Sequence, residues 1–356
     1  MTNNLDNTTL INKLDEANIL RNIQELPLQI ERCWSDWQRM VIPAHYITAK
    51  NVLILGMGGS AIGGALICAL ARYDSRMVVE VSRDYLIPAW VDKTTLVIAV
   101  SYSGETEETL EALQQAAAKT EKLITISTGG SLASLGSHFR ALHYQIEYAS
   151  QPRAAIGFSL TSLLAIFAKL RFLEIKNEEI AETIELVNEL LKKIDINMLT
   201  YRNPAKLLAQ KITGKIPVIL GSGLFAEVAK RWKGDFNENS KNQAYFEEIP
   251  EMNHNALVGL EFPDDLARKM FFIFLESKYN LDRNKFRQSI VTQILQQKKI
   301  PFETVAMEPA GGKIAEMYQM ILMSEFVSYY LAIMNNVAPE PVKIITFLKD
   351  KLSENK

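Results

Sequence analysis

The feature that most constrains the fold of this chain is an uncharged stretch, residues 51–71, which is bounded by Lys50 and Arg72. The stretch is long enough to cross a lipid bilayer. Glycines interrupt it, however, and it begins with NVLIL, whose β-branched and aliphatic residues are typical of a short buried strand. The glycines are Gly56, Gly58, Gly59, Gly63 and Gly64. We therefore predict a strand, a glycine turn and a helix, and no membrane span.

Strands and helices are predicted to alternate after this unit. MVVEVS, TTLVIAVSYSG and KLITIST have the apolar pattern of strands, and helical segments lie between them. Such alternation predicts a parallel sheet that is covered on both faces by helices. A second unit of strand, glycine turn and helix lies downstream, in GKIPVILGSGLFAEVAKRWKGDFNEN. Two related α/β halves are the simplest interpretation.

The same pattern divides the chain into three parts. Residues 1–44 have a helical period, residues 45–198 are predicted to form a first α/β domain, and residues 199–356 a second one with the C-terminal helices. We predict an α/β fold with two doubly wound parallel-sheet domains and flanking helices. Later predicted elements are the strands KMFFIFLES and FETVAME and helices over residues 284–297, over residues 313–334 and from Pro341 to the end.

Charge and cysteine content limit the classes of function. Lys and Arg total 39 and Asp and Glu total 41, and the net charge of −2 favours neither nucleic acid nor an anionic membrane as a partner. Cys33 and Cys68 are too few for a secreted disulfide framework, and MTNNLDN lacks the features of a signal peptide, so we expect a cytoplasmic protein. The four histidines are scattered without ligand spacing, so we expect no metal and no cofactor.

The first glycine loop runs from Gly56 to Ala61 and has the pattern GxGxxA between a predicted strand and a predicted helix. This pattern occurs in dinucleotide-binding folds, where an acidic residue at the end of the next strand binds a ribose. Glu80 would be that residue in this chain, so an NAD-binding protein is one hypothesis. A Walker loop is excluded, because Gly64 stands where that motif needs lysine. Glycines let the backbone approach an anion at a helix amino terminus, and a turn without ligand is the ordinary alternative.

The second loop, Ser101-Tyr102-Ser103-Gly104-Glu105-Thr106, lies between a predicted strand and a predicted helix. Hydroxyl groups and free backbone N–H groups at a helix start can surround a phosphate without any cationic side chain. The alternative is that Thr106 caps the helix in the ordinary way, with Glu107 and Glu108 in the first turn. A cap needs one hydroxyl and this loop offers three, so we favour phosphate binding.

The pairing of LGMGGSAIGG with VSYSGETEET resembles the sugar isomerase (SIS) domain, whose phosphosugar loop has the pattern SxSGxT. Downstream, GDFNENSK and EEIPEMNHN are similar to the catalytic stretch of the bifunctional phosphoglucose/phosphomannose isomerases. The resemblance extends from about Lys50 to the carboxyl terminus. It implies two SIS-type domains and the conversion of fructose 6-phosphate to glucose 6-phosphate, and to mannose 6-phosphate, through a cis-enediol.

Such an isomerisation needs a base that moves a proton between C1 and C2, a group that opens the sugar ring, and an electropositive environment for the enediolate. The sequence offers Glu238, expected in a polar turn after a helix, His254 in NHN, and Arg153 in QPRAAIG. Each has an ordinary alternative: a solvated loop glutamate, a structural histidine and an interdomain ion pair, respectively.

The resemblance implies a role for each of these residues. Glu238 would be the base, Arg153 would stabilise the enediolate, and His254 would open the ring from the neighbouring subunit of an obligate homodimer. The family also places a lysine of its last helix near the ring oxygen, for which we choose Lys349, with Lys343 as the alternative. The substrate-binding residues implied are Gly59 and Ser60 beside the sugar and Ser101, Ser103 and Thr106 at the phosphate.

Hexose 6-phosphate isomerase is therefore the predicted function. Two alternatives from other classes remain at this stage. A sugar-phosphate-binding regulatory module would use the hydroxyl loop but would need no base. An NAD-dependent oxidoreductase would use the glycine loop and Glu80 but would leave Glu238 and His254 without a role.

Overall fold

The structure is a computed structural model that describes residues 5–307 and 310–354. The first sheet, called sheet A, has the strand order β2-β1-β3-β4-β5, and all its strands are parallel. Alternate residues of β1 contribute to apolar clusters on opposite faces of the sheet, as expected when helices cover both faces. The strands are β1 (Asn51–Leu55), β2 (Val78–Ser82), β3 (Thr95–Val100), β4 (Leu123–Ser127) and β5 (Leu142–Gln145).

The second sheet, sheet B, has the order β7-β6-β8-β9 and is also parallel throughout. Its central strands are likewise buried on both faces. The strands are β6 (Ile216–Ser222), β7 (Tyr245–Ile249), β8 (Met270–Glu276) and β9 (Phe302–Ala306). Two parallel-sheet α/β units with flanking helices confirm the predicted fold class.

Helices surround and connect the two sheets. The α-helices are α1 (Thr8–Leu14), α2 (Ile19–Gln24), α3 (Leu26–Arg39), α4 (Gly58–Asp74), α5 (Glu107–Ala117), α6 (Gly130–His138), α7 (Ile156–Lys169), α8 (Asn177–Ile194), α9 (Pro204–Ile212), α10 (Leu224–Glu238), α11 (Asp264–Ala267), α12 (Asp282–Gln297), α13 (Lys313–Met334) and α14 (Lys343–Ser353). None of these helices has the length and apolar content needed to cross a membrane. Three predicted segments extend beyond the described residues: the amino-terminal helical segment at residues 1–4, the strand FETVAME at residue 308 and the last helix at residues 355–356.

One continuous apolar core joins the amino-terminal helices to the rest of the chain. Helix α3 packs against α7 and α2 contacts α13, and the almost wholly buried helix α13 also contacts α8, α9 and α10. The turn at Glu25 and the proline at position 27 separate α2 from α3, because proline is favoured in the first turn of a helix. Helix α4 of the first half packs against α10 of the second, which brings the two halves together.

The strand order of sheet A reverses between β1 and β3. In open parallel sheets, ligands bind outside the carboxyl ends of the strands at such a switch point. Gly56 directly follows β1, and Ser101 directly follows β3. Both predicted binding loops therefore lie at the position in sheet A where the topology favours a ligand.

Candidate active site

The glycine loop and the hydroxyl loop are in direct contact at the sheet A switch point. The Tyr102 backbone N–H donates a hydrogen bond to Ser60 Oγ at 3.2 Å. Gly58 has a φ of +49°, a conformation that favours glycine, and it opens α4 without any side chain that caps the helix. No capping side chain thus competes with an anion for the backbone N–H groups at this end of the helix.

The hydroxyl loop is shaped by bonds among its own residues. Ser101 Oγ lies 2.8 Å from Thr106 Oγ1 and accepts a hydrogen bond from the Gly104 N–H at 3.2 Å. Ser103 Oγ accepts from the Glu105 N–H at 3.2 Å. Thr106 occupies the N-cap position of α5, but its side chain makes no capping bond. The alternative in which the Thr106 hydroxyl is an ordinary helix cap is therefore wrong.

The carboxylate of Glu105 is bound by another helix. It accepts hydrogen bonds from Ser131 N and Ser131 Oγ, both at 2.8 Å, at the start of α6. A side chain at Gly130 would collide with it, because a Cβ there would lie 2.4 Å from Glu105 Oε1. The acidic side chain inside the SYSGET motif thus stabilises the N-terminal turn of α6.

Arg153 lies next to the glycine loop. It belongs to the short 3₁₀ helix Pro152–Ala155, and a Cβ at Gly59 would lie 3.3 Å from Pro152 O and 3.4 Å from Arg153 Cα. The Arg153 side chain is only 4% exposed. Its Nη2 donates to Pro339 O at 3.0 Å and to Glu340 O at 2.6 Å. Burial lowers the pKa of Arg153, and the nearby Glu238 carboxylate opposes that effect.

Glu238 is the last residue of α10 and does not lie in a turn after that helix, as the sequence predicted. Its Oε2 is 3.6 Å from Arg153 Nη1, and its side chain is 33% exposed. A carboxylate at a helix C-terminus experiences an unfavourable helix dipole, which the Arg153 guanidinium offsets. The pair also joins the two halves of the chain, so the predicted interdomain ion pair and the predicted catalytic pair are the same contact.

Sequence analysis missed a buried charge cluster beneath this pair. Arg231 Nη2 donates to the Arg153 backbone carbonyl at 2.6 Å, and it contacts Asp235 Oδ1 at 3.0 Å and Glu325 Oε1 at 2.9 Å. Burial raises the pKa of both carboxyl groups, and the Arg231 guanidinium opposes the rise. Two signals were available: the i,i+4 spacing of Arg231 and Asp235, and a glutamate within the apolar helix α13.

Lys241 is a second residue without a predicted role, although it lies within the NENSK segment. Its Nζ donates to Glu238 O at 2.7 Å, to Asn239 O at 3.3 Å and to Pro339 O at 2.8 Å. Partial burial and the neighbouring Arg153 guanidinium lower the pKa of Lys241 to about 8. Lys241 and Arg153 thus both hold the Pro339 carbonyl next to the C-terminus of α10.

Two predicted catalytic residues do not join this cluster within one chain. His254 ends the 3₁₀ helix Glu251–His254 and is exposed. Lys349, like its alternative Lys343, is exposed on α14. Within residues 5–307 and 310–354, no group of three or more His, Cys, Asp and Glu side chains is arranged to hold a metal ion. The structure thus brings together Gly59, Ser60, the hydroxyl loop, Arg153 and Glu238.

Two family models match the chain. Residues 45–170 match the SIS domain, and residues 201–352 match the bacterial phospho-glucose isomerase C-terminal SIS domain. The two matched segments correspond to sheet A and sheet B with their helices.

Curated relatives share most of the chain. The chain is 36% identical over 95% of its length to the bifunctional phosphoglucose/phosphomannose isomerase of Caldicellulosiruptor bescii, and covers 100% of it. It is 35% identical over 86% of its length to the protein of that name from Thermoplasma acidophilum, of which it covers 91%. Among solved structures, it resembles tagatose-6-phosphate ketose/aldose isomerase from Escherichia coli, with a TM-score of 0.67 at 13% identity, and the match covers 91% of this chain and 96% of that structure. At that identity, the likeness concerns the fold.

Proposed function

Because the chain belongs to the bifunctional phosphoglucose/phosphomannose isomerases and isomerises hexose phosphates, we propose that Glu238 is its catalytic base and Arg153 its enediolate-stabilising residue. The substrates would be fructose 6-phosphate, glucose 6-phosphate and mannose 6-phosphate. The observation that carries the proposal is the 3.6 Å contact between Arg153 Nη1 and Glu238 Oε2, beside the glycine loop. Neither alternative, the regulatory module or the oxidoreductase, gives this pair a role.

The phosphate would bind at the sheet A switch point. Ser101, Ser103 and Thr106 supply hydroxyl groups, and the first turns of α4 and α5 supply backbone N–H groups and favourable helix dipoles. Gly59 and Ser60 would border the sugar, since Ser60 contacts the hydroxyl loop and Gly59 contacts Arg153. This arrangement would anchor one end of the substrate and direct the other towards Glu238.

Proton transfer would then use the pair at the end of α10. The Glu238 carboxylate takes the proton from C2 of the aldose, and the C1 carbonyl oxygen becomes the enediolate oxygen, which Arg153 stabilises. The O2 hydroxyl proton passes to O1, and Glu238 returns its proton to C1, so that O2 becomes the carbonyl oxygen of the ketose. Glucose 6-phosphate and mannose 6-phosphate differ only in configuration at C2, so one planar enediol serves both if it is reprotonated from either face.

Ring opening would require a second subunit. His254 is exposed and makes no described contact with Glu238 or Arg153, and exposed apolar side chains lie near it in sequence, Val258 at 71% and Phe262 at 82%. Exposed apolar side chains that form one contiguous patch mark an interaction site. We therefore infer a homodimer in which His254 acts in the partner's site. Lys349, or Lys343, would approach the ring oxygen from α14.

The test is the variant Glu238→Gln, which keeps the shape of the side chain but removes the base. We expect kcat to fall about 10² to 10⁴-fold on both hexose 6-phosphates, the usual scale for a lost general base, with substrate affinity by calorimetry little changed. Glu185→Gln is the matched control, since Glu185 is an exposed glutamate of α8 outside the segments that resemble the catalytic stretch. Normal turnover by Glu238→Gln would place the base elsewhere.

A further inference from the structure

Asn239 directly follows the proposed base and is almost completely buried, with 2% of its surface exposed. Its side chain connects two parts of the molecule. Asn239 Oδ1 accepts a hydrogen bond from Arg153 Nε at 2.7 Å, and its Nδ2 donates to Ser328 Oγ at 2.9 Å. Ser328 lies on the buried helix α13, where its hydroxyl donates to Glu325 O at 3.1 Å. Asn239 therefore ties the Arg153 side chain to the core.

Two of the three guanidinium nitrogens of Arg153 are held by other groups, and the third, Nη1, faces the proposed base Glu238. Asn239 holds Nε, and the carbonyls of Pro339 and Glu340 hold Nη2. Because a guanidinium is rigid and planar, fixing Nε and Nη2 also fixes the direction of Nη1. That third nitrogen is the one that lies 3.6 Å from Glu238 Oε2.

The distance of 3.6 Å is longer than a charge-assisted hydrogen bond, which is about 2.7 to 2.9 Å. At this separation Arg153 stabilises negative charge near Glu238 without occupying the carboxylate oxygen that must accept a proton. An Arg153 side chain released from Asn239 would be able to close onto the carboxylate, and it would leave a buried N–H without a partner.

We propose that Asn239 is a positioning residue for Arg153, which keeps the guanidinium close enough to stabilise the enediolate and too far to neutralise the base. This inference rests on the proposed roles of Arg153 and Glu238. Asn239 acts only through Arg153. Its loss should therefore affect the transition state more than the binding of the substrate's ground state.

The test compares Asn239→Ala and Ser328→Ala with the control Asn335→Ala. The Asn335 side-chain amide donates a hydrogen bond at 3.1 Å to the backbone carbonyl of Ser240, the residue after Asn239. No hydrogen bond joins Asn335 to Arg153 among the described residues. We expect Asn239→Ala to lower kcat about tenfold to a hundredfold with KM changed less than about threefold, the scale of a small misplacement of a catalytic group. Ser328→Ala should have a smaller effect in the same direction, and Asn335→Ala none.

A second readout separates positioning from a loss of structure. Affinities are measured for a phosphorylated hydroxamate that mimics the planar enediolate and for a hexitol 6-phosphate that cannot form one. Asn239→Ala should weaken the hydroxamate by about the same factor as kcat and leave the hexitol phosphate within about threefold. Equal weakening of both ligands, or a lowered melting temperature with normal kcat, would overturn the proposal.

The same series distinguishes this inference from the proposed function. If Glu238→Gln keeps normal turnover, the proposed function fails and the inference fails with it. If Glu238→Gln is impaired while Asn239→Ala behaves like Asn335→Ala, only the inference fails. If Asn239→Ala does not fold, Ser328→Ala decides, since wild-type kcat and a wild-type ratio of the two affinities would then refute the role of Asn239.

Discussion

The two halves of the molecule contain the same supersecondary unit but use opposite ends of its helix. In the first half, β1 leads through glycines into α4, and the proposed phosphate site lies at the N-terminus of that helix. In the second half, β6 leads through Gly221 and Gly223 into α10, yet Glu238 lies at the C-terminus. Because α10 runs back along the sheet, this end lies at the amino-terminal edge of sheet B. One scaffold thus offers a donor-rich end for an anion and an acceptor-rich end for a base.

The N-terminal end of α4 and the C-terminal end of α10 also differ in the kind of polar group that surrounds them. The hydroxyl loop presents serine and threonine hydroxyls and helix N–H groups, which are able to bind a phosphate without a cationic side chain. The end of α10 instead carries many acidic and basic side chains, and a carboxylate at a helix C-terminus is stabilised by cations nearby. The groups there are Arg153, Arg231 and Lys241 against Asp235, Glu238 and Glu325. The proposed phosphate binding and the proposed proton transfer are therefore separated into a region whose proposed ligand groups are uncharged, called the neutral region, and a charged region.

The largest expected effect tests whether the charged region is completed by a second subunit. Glu238→Gln dimers and His254→Ala dimers should each be inactive, whereas mixing them under subunit exchange should restore activity. A hybrid dimer has one site with both wild-type residues and one with neither. Random exchange at equal input makes about half the dimers hybrid, so recovery should approach about a quarter of wild-type activity under two-fold symmetry.

The control for this experiment is proof of exchange, obtained with two differently tagged subunits. Mixing Glu238→Gln dimers with a second preparation of Glu238→Gln should restore nothing. Full exchange without recovery would mean that His254 acts in the same subunit as Glu238 or outside the site. In that case the charged region would be complete within one chain.

A smaller effect is expected at the neutral region. Ser103→Ala and Thr106→Ala should each weaken the binding of phosphorylated sugars by about 1 to 3 kcal/mol, the contribution of a hydrogen bond to a charged group. The melting temperature should change less than the affinity, because the hydrogen bonds that these two hydroxyls make lie within the loop and Thr106 does not cap α5. Ser134→Ala on α6 is a matched control, since it removes an exposed hydroxyl outside the loop. A variant that lowers only the melting temperature would show that the loop is structural.

The neutral region was more predictable from sequence than the charged one. GMGGSA and SYSGET are local signals, because a strand, a glycine turn and a helix bring them to one sheet edge by topology. The Arg231–Glu325 contact joins residues of two different helices, which no local pattern reveals. Glu238 was expected in a turn because FNEN is polar, but the packing of α10 continues the helix through it. His254 and Lys349 rest on the resemblance alone.

The smallest expected effect concerns the pH dependence of stability, which should arise in the charged region. Burial raises the pKa of Glu325 above the ordinary 4.5, against the opposing attraction of Arg231 and with the added repulsion of Asp235. The folded state therefore keeps the Glu325 proton at pH values at which the unfolded state has released it. The contribution of Glu325 to the free energy of unfolding is consequently lost as the pH rises above about 4.5 towards the raised pKa. Glu325→Gln stays neutral and keeps an oxygen for Arg231, so its melting temperature relative to wild type should increase by a few degrees between about pH 5 and about pH 8.

Glu248→Gln, exposed on β7, should follow the wild-type curve, and so should Ser103→Ala in the neutral region. A constant difference in melting temperature between Glu325→Gln and wild type across this range would contradict this titration, since Glu325 would then keep one protonation state beside Arg231 from about pH 5 to about pH 8.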